Sequence, residues 1–293
     1  MKRAVIIGAL SFVGYHLVQK LLAEEIEVTA VDFDNMLNPS KVNEEKLLLI
    51  GRNANFMYES LHEADIGSSI RENQTAAVYF CLCEPNRYKE LADRTVVYSY
   101  LQHVISLCKV YNKKLVLLSS INAATARYYE TKGVIGPVSE NGKFFYEMEK
   151  YVESLLRRYA IVQVPTVYGP WQPSFMAYHQ LILADVLQRK MIVEVTENSE
   201  DAVYVADVAD VLQQCGESEK LNGVYYIESN EAGQWQKGIA LLNAGKRIRI
   251  REKRTEKKAA APYPYPLRYS VKEGLYEQIL HVKQYKALYE ELG

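Results

Sequence analysis

Apolar residues fall in short runs that alternate with stretches of helical period. Residues 3–7 form a short apolar run that stops at Gly8. Phe12, Val13, Leu17, Val18, Leu21 and Leu22 then recur on one face of a helix over residues 12–24. A second run, Glu27–Val31, ends in Asp32. Strand, glycine turn, helix and strand within about 30 residues make a βαβ unit. Residues 76–83 are a continuous apolar run, as in a strand covered on both faces. Residues 91–110 read as a helix and Leu115–Leu118 as a strand running into Ser119 and Ser120. Residues 145–159 read as a helix and Ile161–Val164 as a strand ending at Pro165. Alternating helices and buried strands predict an α/β protein with a doubly wound parallel sheet.

After Pro165 the pattern changes. Residues 168–173 read as a loop, 175–189 as a helix, and 191–195, 202–205 and 224–228 as short strands. Residues 259–266, rich in Pro and Tyr, read as a stiff linker before a final helix at 271–291. Two lobes are expected. The first is residues 1–165, with 200–228 returning to it. The second is a smaller mixed α/β lobe from 166–199 and 229–293.

Charge and cysteine content narrow the partners. Lys and Arg number 35 and Asp and Glu 36, a net charge of −1. Without a global basic excess, neither nucleic acid nor a membrane is the expected partner. The four cysteines (81, 83, 108 and 215) are too few for a disulfide framework, and Cys81 and Cys83 have no second pair nearby. Reduced buried thiols are expected rather than a metal site. The five histidines show no ligand spacing. The apolar stretch before Gly8 is too short for a secretory signal, and no segment approaches the ~18 apolar residues of a membrane span. A cytoplasmic protein without a metal is expected.

Three constellations carry chemistry. Gly8-Ala-Leu-Ser-Phe-Val-Gly14 joins the first strand to the first helix. Gly8 permits the tight turn, the helix N-terminus offers N–H groups to a pyrophosphate, and Gly14 lets helix and strand approach. Asp32 ends the second strand, where a carboxylate takes the ribose hydroxyls of adenosine. Ser11 stands at the middle-glycine position; its Cβ crowds the phosphate, while its hydroxyl is a donor there. Second, Tyr146 and Lys150 share one helix face, and an ammonium beside a phenol lowers its pKa. Tyr128 and Lys132 make another such pair, but Gly133, Gly136 and Pro137 follow at once and place it in a loop. Third, Ser120 lies 26 residues before Tyr146 at the end of a parallel strand, where open α/β sheets hold their ligands.

Taken in order, these segments resemble the extended short-chain dehydrogenase/reductases, and within them the NAD-dependent nucleotide-sugar epimerase/dehydratase branch. The glycine loop, Val31-Asp32, Leu118-Ser119-Ser120, Pro137-Val-Ser-Glu140, Tyr146 with Lys150 and Glu153, Pro165-Thr-Val-Tyr-Gly-Pro170, Asp201–Val208 and Ser270–Leu275 each look like a family segment. The resemblance implies a Rossmann-type sheet with a smaller C-terminal substrate lobe. It implies NAD, held by Gly8, Ser11, Phe12, Val13, Gly14, Asp32, Leu82, Tyr146, Lys150, Pro165 and Val167. Ser120, Tyr146 and Lys150 become the catalytic set. Ser120, Thr166, Arg249 and Arg268 become the contacts to a nucleotide-sugar.

The implied reaction is epimerisation through a transient keto-sugar. Keto-sugar reduction or dehydrogenation, or a non-catalytic dinucleotide sensor of the same fold, are the alternatives. The family's dehydratases carry an Asp-Glu pair after the catalytic hydroxyl residue, and its decarboxylases a Glu. Here Ile121 and Asn122 stand there. Ser11, Val97 and Thr166 also depart from the family pattern.

Two further features remain open. Residues 246–258 hold eight Lys or Arg in 13, which suits a solvated edge strand or a phosphate clamp that includes Arg249. Nucleic-acid contact is the weaker reading, because the run has no stacking aromatic. Helices 91–110 and 145–159 carry extra apolar residues: Val96, Val97, Tyr100, Val104 and Leu107 on one, Phe145, Met148, Tyr151, Val152 and Leu155 on the other. The resemblance makes these a homodimer face.

Overall fold

Strands and helices alternate through the first half of the chain, as the apolar periods require. A computed structural model describes residues 1–32, 40–60, 65–82, 91–189, 193–195, 197–243, 248–250 and 260–292. The order is β1 (Arg3–Ile7), α1 (Phe12–Ala23), β2 (Glu27–Asp32), α2 (Lys41–Ile50), β3 (Phe56–Ser60) and α3 (Ile66–Arg71). Then come β4 (Thr75–Phe80), α4 (Leu91–Val110), β5 (Lys114–Ser120), α5 (Ile121–Lys132), α6 (Glu140–Leu155) and β6 (Tyr159–Val164). The remainder comprises β7 (Thr166–Tyr168), α7 (Ala177–Val186), β8 (Val193–Val195), β9 (Ala202–Tyr204), α8 (Val205–Glu217) and β10 (Gly223–Tyr226). The chain closes with α9 (Gln234–Leu242), β11 (Ile248–Ile250), β12 (Ala261–Pro262), α10 (Val271–Gln284) and α11 (Lys286–Leu292).

Among the described residues the chain clusters into two compact units. One is built on Met1–Gln163 and Ala209–Tyr226, the other on Val164–Val208, Ile227–Glu256 and Pro262–Gly293. Residues 200–208 thus group with the second unit, not the first.

The main sheet has the order β12-β10-β6-β5-β4-β1-β2-β3. The ladders β1/β2, β1/β4, β2/β3, β4/β5 and β6/β10 are all parallel. From β1 the chain winds outward to β3, then returns to β4 on the other side of β1. That reversal is the switch point at which such sheets hold ligands beyond the strands' C-terminal ends. Gly8, Asp32, Leu82 and Ser120 all stand at those ends. The core beneath them is apolar, with Val5, Ile7, Val78, Phe80, Leu115, Leu117 and Ile161 from the strands meeting α4 and α6. In the second unit β7 pairs with β9 and β8 with β11, both parallel.

Several expectations change. Helix α6 begins at Glu140 rather than 145, because the Ser139 hydroxyl caps it by accepting the Gly142 N–H at 3.0 Å. Tyr128 and Lys132 lie in α5, not in a loop. Gly133 (φ 63°, ψ 28°) terminates that helix in the left-handed region instead of dissolving it. The final helix breaks at Tyr285. Of the residues assigned to a dimer face, Val97, Val104, Phe145, Met148 and Val152 are core. Alpha-helical position alone did not separate them from Val96, which is exposed. Most of the basic run, 246–258, lies outside the described residues; Arg249 sits in β11 in register with Glu194.

Candidate active site

The glycine loop is built by close contact. Gly8 has φ +84°, and a Cβ there would meet the backbone of Cys81 and Leu82 at 2.7 Å. A Cβ on Gly14 would lie 2.0 Å from the Gly8 carbonyl oxygen. Ser11 caps α1: its hydroxyl accepts the Gly14 N–H at 3.0 Å. This role as acceptor leaves the hydroxyl proton for another partner. Phe12 and Val13 form the buried first turn of α1, where N–H groups have no intrahelical acceptor.

Asp32 is fully buried, and its carboxylate accepts the Leu10 N–H at 2.6 Å. On the other side of the same residue, the buried Lys46 ammonium donates to the Leu10 carbonyl at 2.7 Å. Leu82 is buried beyond the end of β4. A side chain at Gly8 would run into the end of β4 and one at Gly14 into the Gly8 carbonyl, so the two glycines keep the turn tight against the strand and leave the N-terminus of α1, with its N–H groups, as the place for a pyrophosphate.

A second cluster forms at the end of β5. Ser120 ends the strand and caps α5, its hydroxyl accepting the Asn122 N–H at 3.3 Å. The preceding Ser119 points into the unit and donates to Glu149 at 2.6 Å. Glu149 is buried and also accepts from Gln163 of β6 (2.9 and 3.0 Å) and from Arg127 of α5 (2.8 Å). Burial raises its pKa against the pull of Arg127, Ser119 and Gln163. Arg127 also donates to Glu153 at 3.2 and 2.6 Å. Burial works against the Arg127 charge, but Glu153 and Glu149 hold its pKa above the ordinary value.

Tyr146 is half-buried between two cations. The Arg127 guanidinium lies 5.2 Å from its ring centroid and the Lys150 ammonium 5.5 Å. Lys150 is itself paired with Glu130 of α5 at 2.7 Å on the exposed side. That bond raises the lysine pKa. The expectation of a depressed phenol needs correction. Burial and then the Glu130 carboxylate raise the Tyr146 pKa, and Arg127 and Lys150 offset them only in part. The structure therefore brings Tyr146 and Lys150 together, while Ser120 is engaged at the head of α5.

The second unit carries the remaining candidates. Thr166 in β7 is buried, and its hydroxyl donates to the Asn198 carbonyl at 2.5 Å. Pro165 and Val167 flank it and are buried. Arg268 is exposed, on a segment anchored by Asp207, which accepts the Arg268 and Tyr269 N–H groups at 2.8 and 3.2 Å. Asp201 likewise accepts the Ser229 N–H at 2.8 Å. These two carboxylates of the 201–208 segment are thus structural acceptors. The Arg249 side chain lies outside the described residues.

Arg127, Glu130, Glu149 and Lys46 went unread in the sequence. The signal for the first two was present: Ser120 as N-cap and Gly133 past the end bracket a 12-residue helix. For Glu149 nothing local distinguishes a buried acid from its exposed neighbour Glu147. Among the described residues no helix is long and apolar enough to cross a membrane.

Comparison with known proteins identifies the family and the fold. The family model described as the NAD dependent epimerase/dehydratase family matches residues 4–227. An uncharacterized UDP-glucose epimerase of Bacillus subtilis is 24% identical over 227 residues, covering 70% of this chain and 69% of that protein. Among solved structures, the fold is similar to the UDP-glucuronic acid 4-epimerase of Bacillus cereus, with TM-score 0.72, 18% identity, and 96% and 99% of the two chains covered. It is also similar to the dTDP-glucose 4,6-dehydratase of Bacillus anthracis in complex with NAD, with TM-score 0.76, 15% identity and both chains covered in full, 100% and 100%.

Proposed function

Because the chain belongs to the NAD-dependent epimerase/dehydratase family, we propose that it epimerises a nucleotide-sugar through a transient keto-sugar. The observation that carries this reading is the half-buried Tyr146 phenol between two cations, in the same unit as a dinucleotide loop. NAD, when bound, supplies the acceptor and donor of hydride. Gly8, Ser11, Phe12, Val13, Gly14, Asp32, Leu82, Pro165 and Val167 would hold it. Asp32 favours free ribose hydroxyls and repels a 2′-phosphate.

Tyr146 takes the proton from the reacting sugar hydroxyl and later returns it. Lys150 exchanges Glu130 for the nicotinamide ribose. Ser120 donates its hydroxyl proton to the reacting oxygen while still accepting the Asn122 N–H. Thr166, Arg249 and Arg268 serve the substrate's nucleotide end. Val96, exposed on α4, and the partly buried Tyr100 and Leu107 of α4 and Tyr151 and Leu155 of α6 serve a homodimer.

Epimerisation needs no group beyond this set. Elimination of water from the sugar needs a second acid and base near the reacting carbons. After Ser120 come Ile121, which exchanges no proton, and Asn122, whose amide has no useful pKa near neutrality. The test is incubation with NAD and a panel of nucleotide hexoses and uronates, followed by NMR of the products. An epimer of unchanged mass is expected. A 6-deoxy-4-keto sugar, or a pentose with carbon dioxide, would overturn the reading; a stoichiometric reduced or oxidised sugar would favour a reductase.

A further inference from the structure

We propose that Arg127 is the positioning residue of Tyr146, holding the phenol ring and balancing its charge when the proton leaves. Lys150 is thereby left for the cofactor. The inference rests on the reading of Tyr146 as the acid/base. Its basis is the unequal surroundings of the two cations. Both lie within ~6 Å of the phenol ring, the range in which a cation and a ring interact. Lys150 is half exposed and paired with a half-exposed Glu130. Exposed pairs of this kind are loose and screened by water.

Arg127 is fixed by two carboxylates. Glu149 and Glu153 of α6 take its Nη atoms. Glu149 is in turn held by Ser119 of β5 and Gln163 of β6. The guanidinium therefore connects Tyr146 to the two strand ends beside Ser120. Its Nε is buried without an acceptor among the described residues. The charged groups facing the phenol are Arg127 and Glu130 from α5 and Lys150 from its own helix, and Arg127 outweighs Lys150 in lowering the phenol pKa.

The test reads the phenol directly and needs no turnover. The chain is labelled with 3-fluorotyrosine, which titrates in a milder pH range, and the Tyr146 signal is assigned in ¹⁹F NMR by its loss in Tyr146→Phe. Arg127→Met is expected to raise the Tyr146 midpoint by about one pH unit, at the low end of the effect of an adjacent opposite charge. Lys150→Met is expected to move it less, and Arg127→Lys to restore part of the shift.

Arg127→Met leaves Glu149 buried without its cation, which endangers folding. The double variant Arg127→Met with Glu149→Gln removes both charges and gives the same reading. An unmoved midpoint in folded Arg127→Met or in the double variant would overturn the proposal. So would a larger shift from Lys150→Met. Turnover that survives Tyr146→Phe would instead sink the catalytic reading, with the titration result standing on its own.

Discussion

At the scale of single residues, Tyr146 is marked by the charges around its ring rather than by its spacing to a lysine. Tyr128 has the same spacing to Lys132, and its ring packs edge-on against Tyr129. Tyr146 has a carboxylate and two cations around it. Replacing the phenol by phenyl keeps the ring near Arg127 and Lys150 and removes the hydroxyl, with its exchangeable proton and its bond to Glu130. Tyr146→Phe is therefore expected to lower kcat by roughly 10²–10⁴, the usual contribution of a general acid–base group. NADH affinity, measured by fluorescence titration, is expected to stay nearly unchanged. Tyr128→Phe is the internal control and is expected to keep wild-type turnover. Equal losses in the two variants would show that the surroundings do not single out Tyr146.

At the scale of elements, the part of the site legible in the sequence is the part made by strands and glycine turns. The β1–α1 loop, Asp32 and the Ser120 strand end were visible because buried parallel strands read as apolar runs with abrupt ends. Helix α5 is hidden in the sequence, because Gly133, Gly136 and Pro137 read as a loop that reaches back over Tyr128. A left-handed glycine is instead the ordinary way for a helix to stop. Losing α5 meant losing Arg127 and Glu130, and with them the electrostatics of Tyr146. The acids on α6 were hidden for another reason: an amphipathic pattern predicts Glu outward, and Glu149 is inward because Arg127, Ser119 and Gln163 are there to receive it. Gly133 has φ 63° and open space around its Cβ position. Gly133→Ala thus meets no clash, only the strain of a left-handed L-residue, about 1 kcal/mol. For a chain of this size that corresponds to a loss of roughly 2–4 °C in Tm by calorimetry. A variant as stable as the wild type would mean that α5 does not end in this way.

At the scale of the whole molecule, acid stability depends on groups that fold into burial with no partner. His179 on α7 is fully buried, and among the described residues neither ring nitrogen has a hydrogen-bond partner. Its ring packs edge-on against Tyr289, with centroids 4.7 Å apart. Burial lowers its pKa from 6.5 to about 4, so the folded ring stays neutral in a range where the unfolded chain is protonated. Between those two values the unfolded state binds more protons. Stability is then fully present above pH 6.5, falls as the pH drops toward 4, and levels off below it. A depression of this size corresponds to ~3 kcal/mol at most. Glu149, Asp201 and Asp207 oppose it, because burial raises their pKa values and their folded carboxylates gain protons first. The His179 contribution therefore emerges as a difference. His179→Phe keeps an edge-on ring contact and removes the titration. Both tryptophans, Trp171 and Trp235, lie in the same unit as His179, so intrinsic fluorescence reports unfolding of that unit in urea. From pH 7.5 to pH 4.5 the wild type is expected to lose more unfolding free energy than His179→Phe, with the divergence beginning near pH 6.5. Parallel losses in the two proteins would mean that the ring takes up a proton, or finds a partner, inside the folded unit.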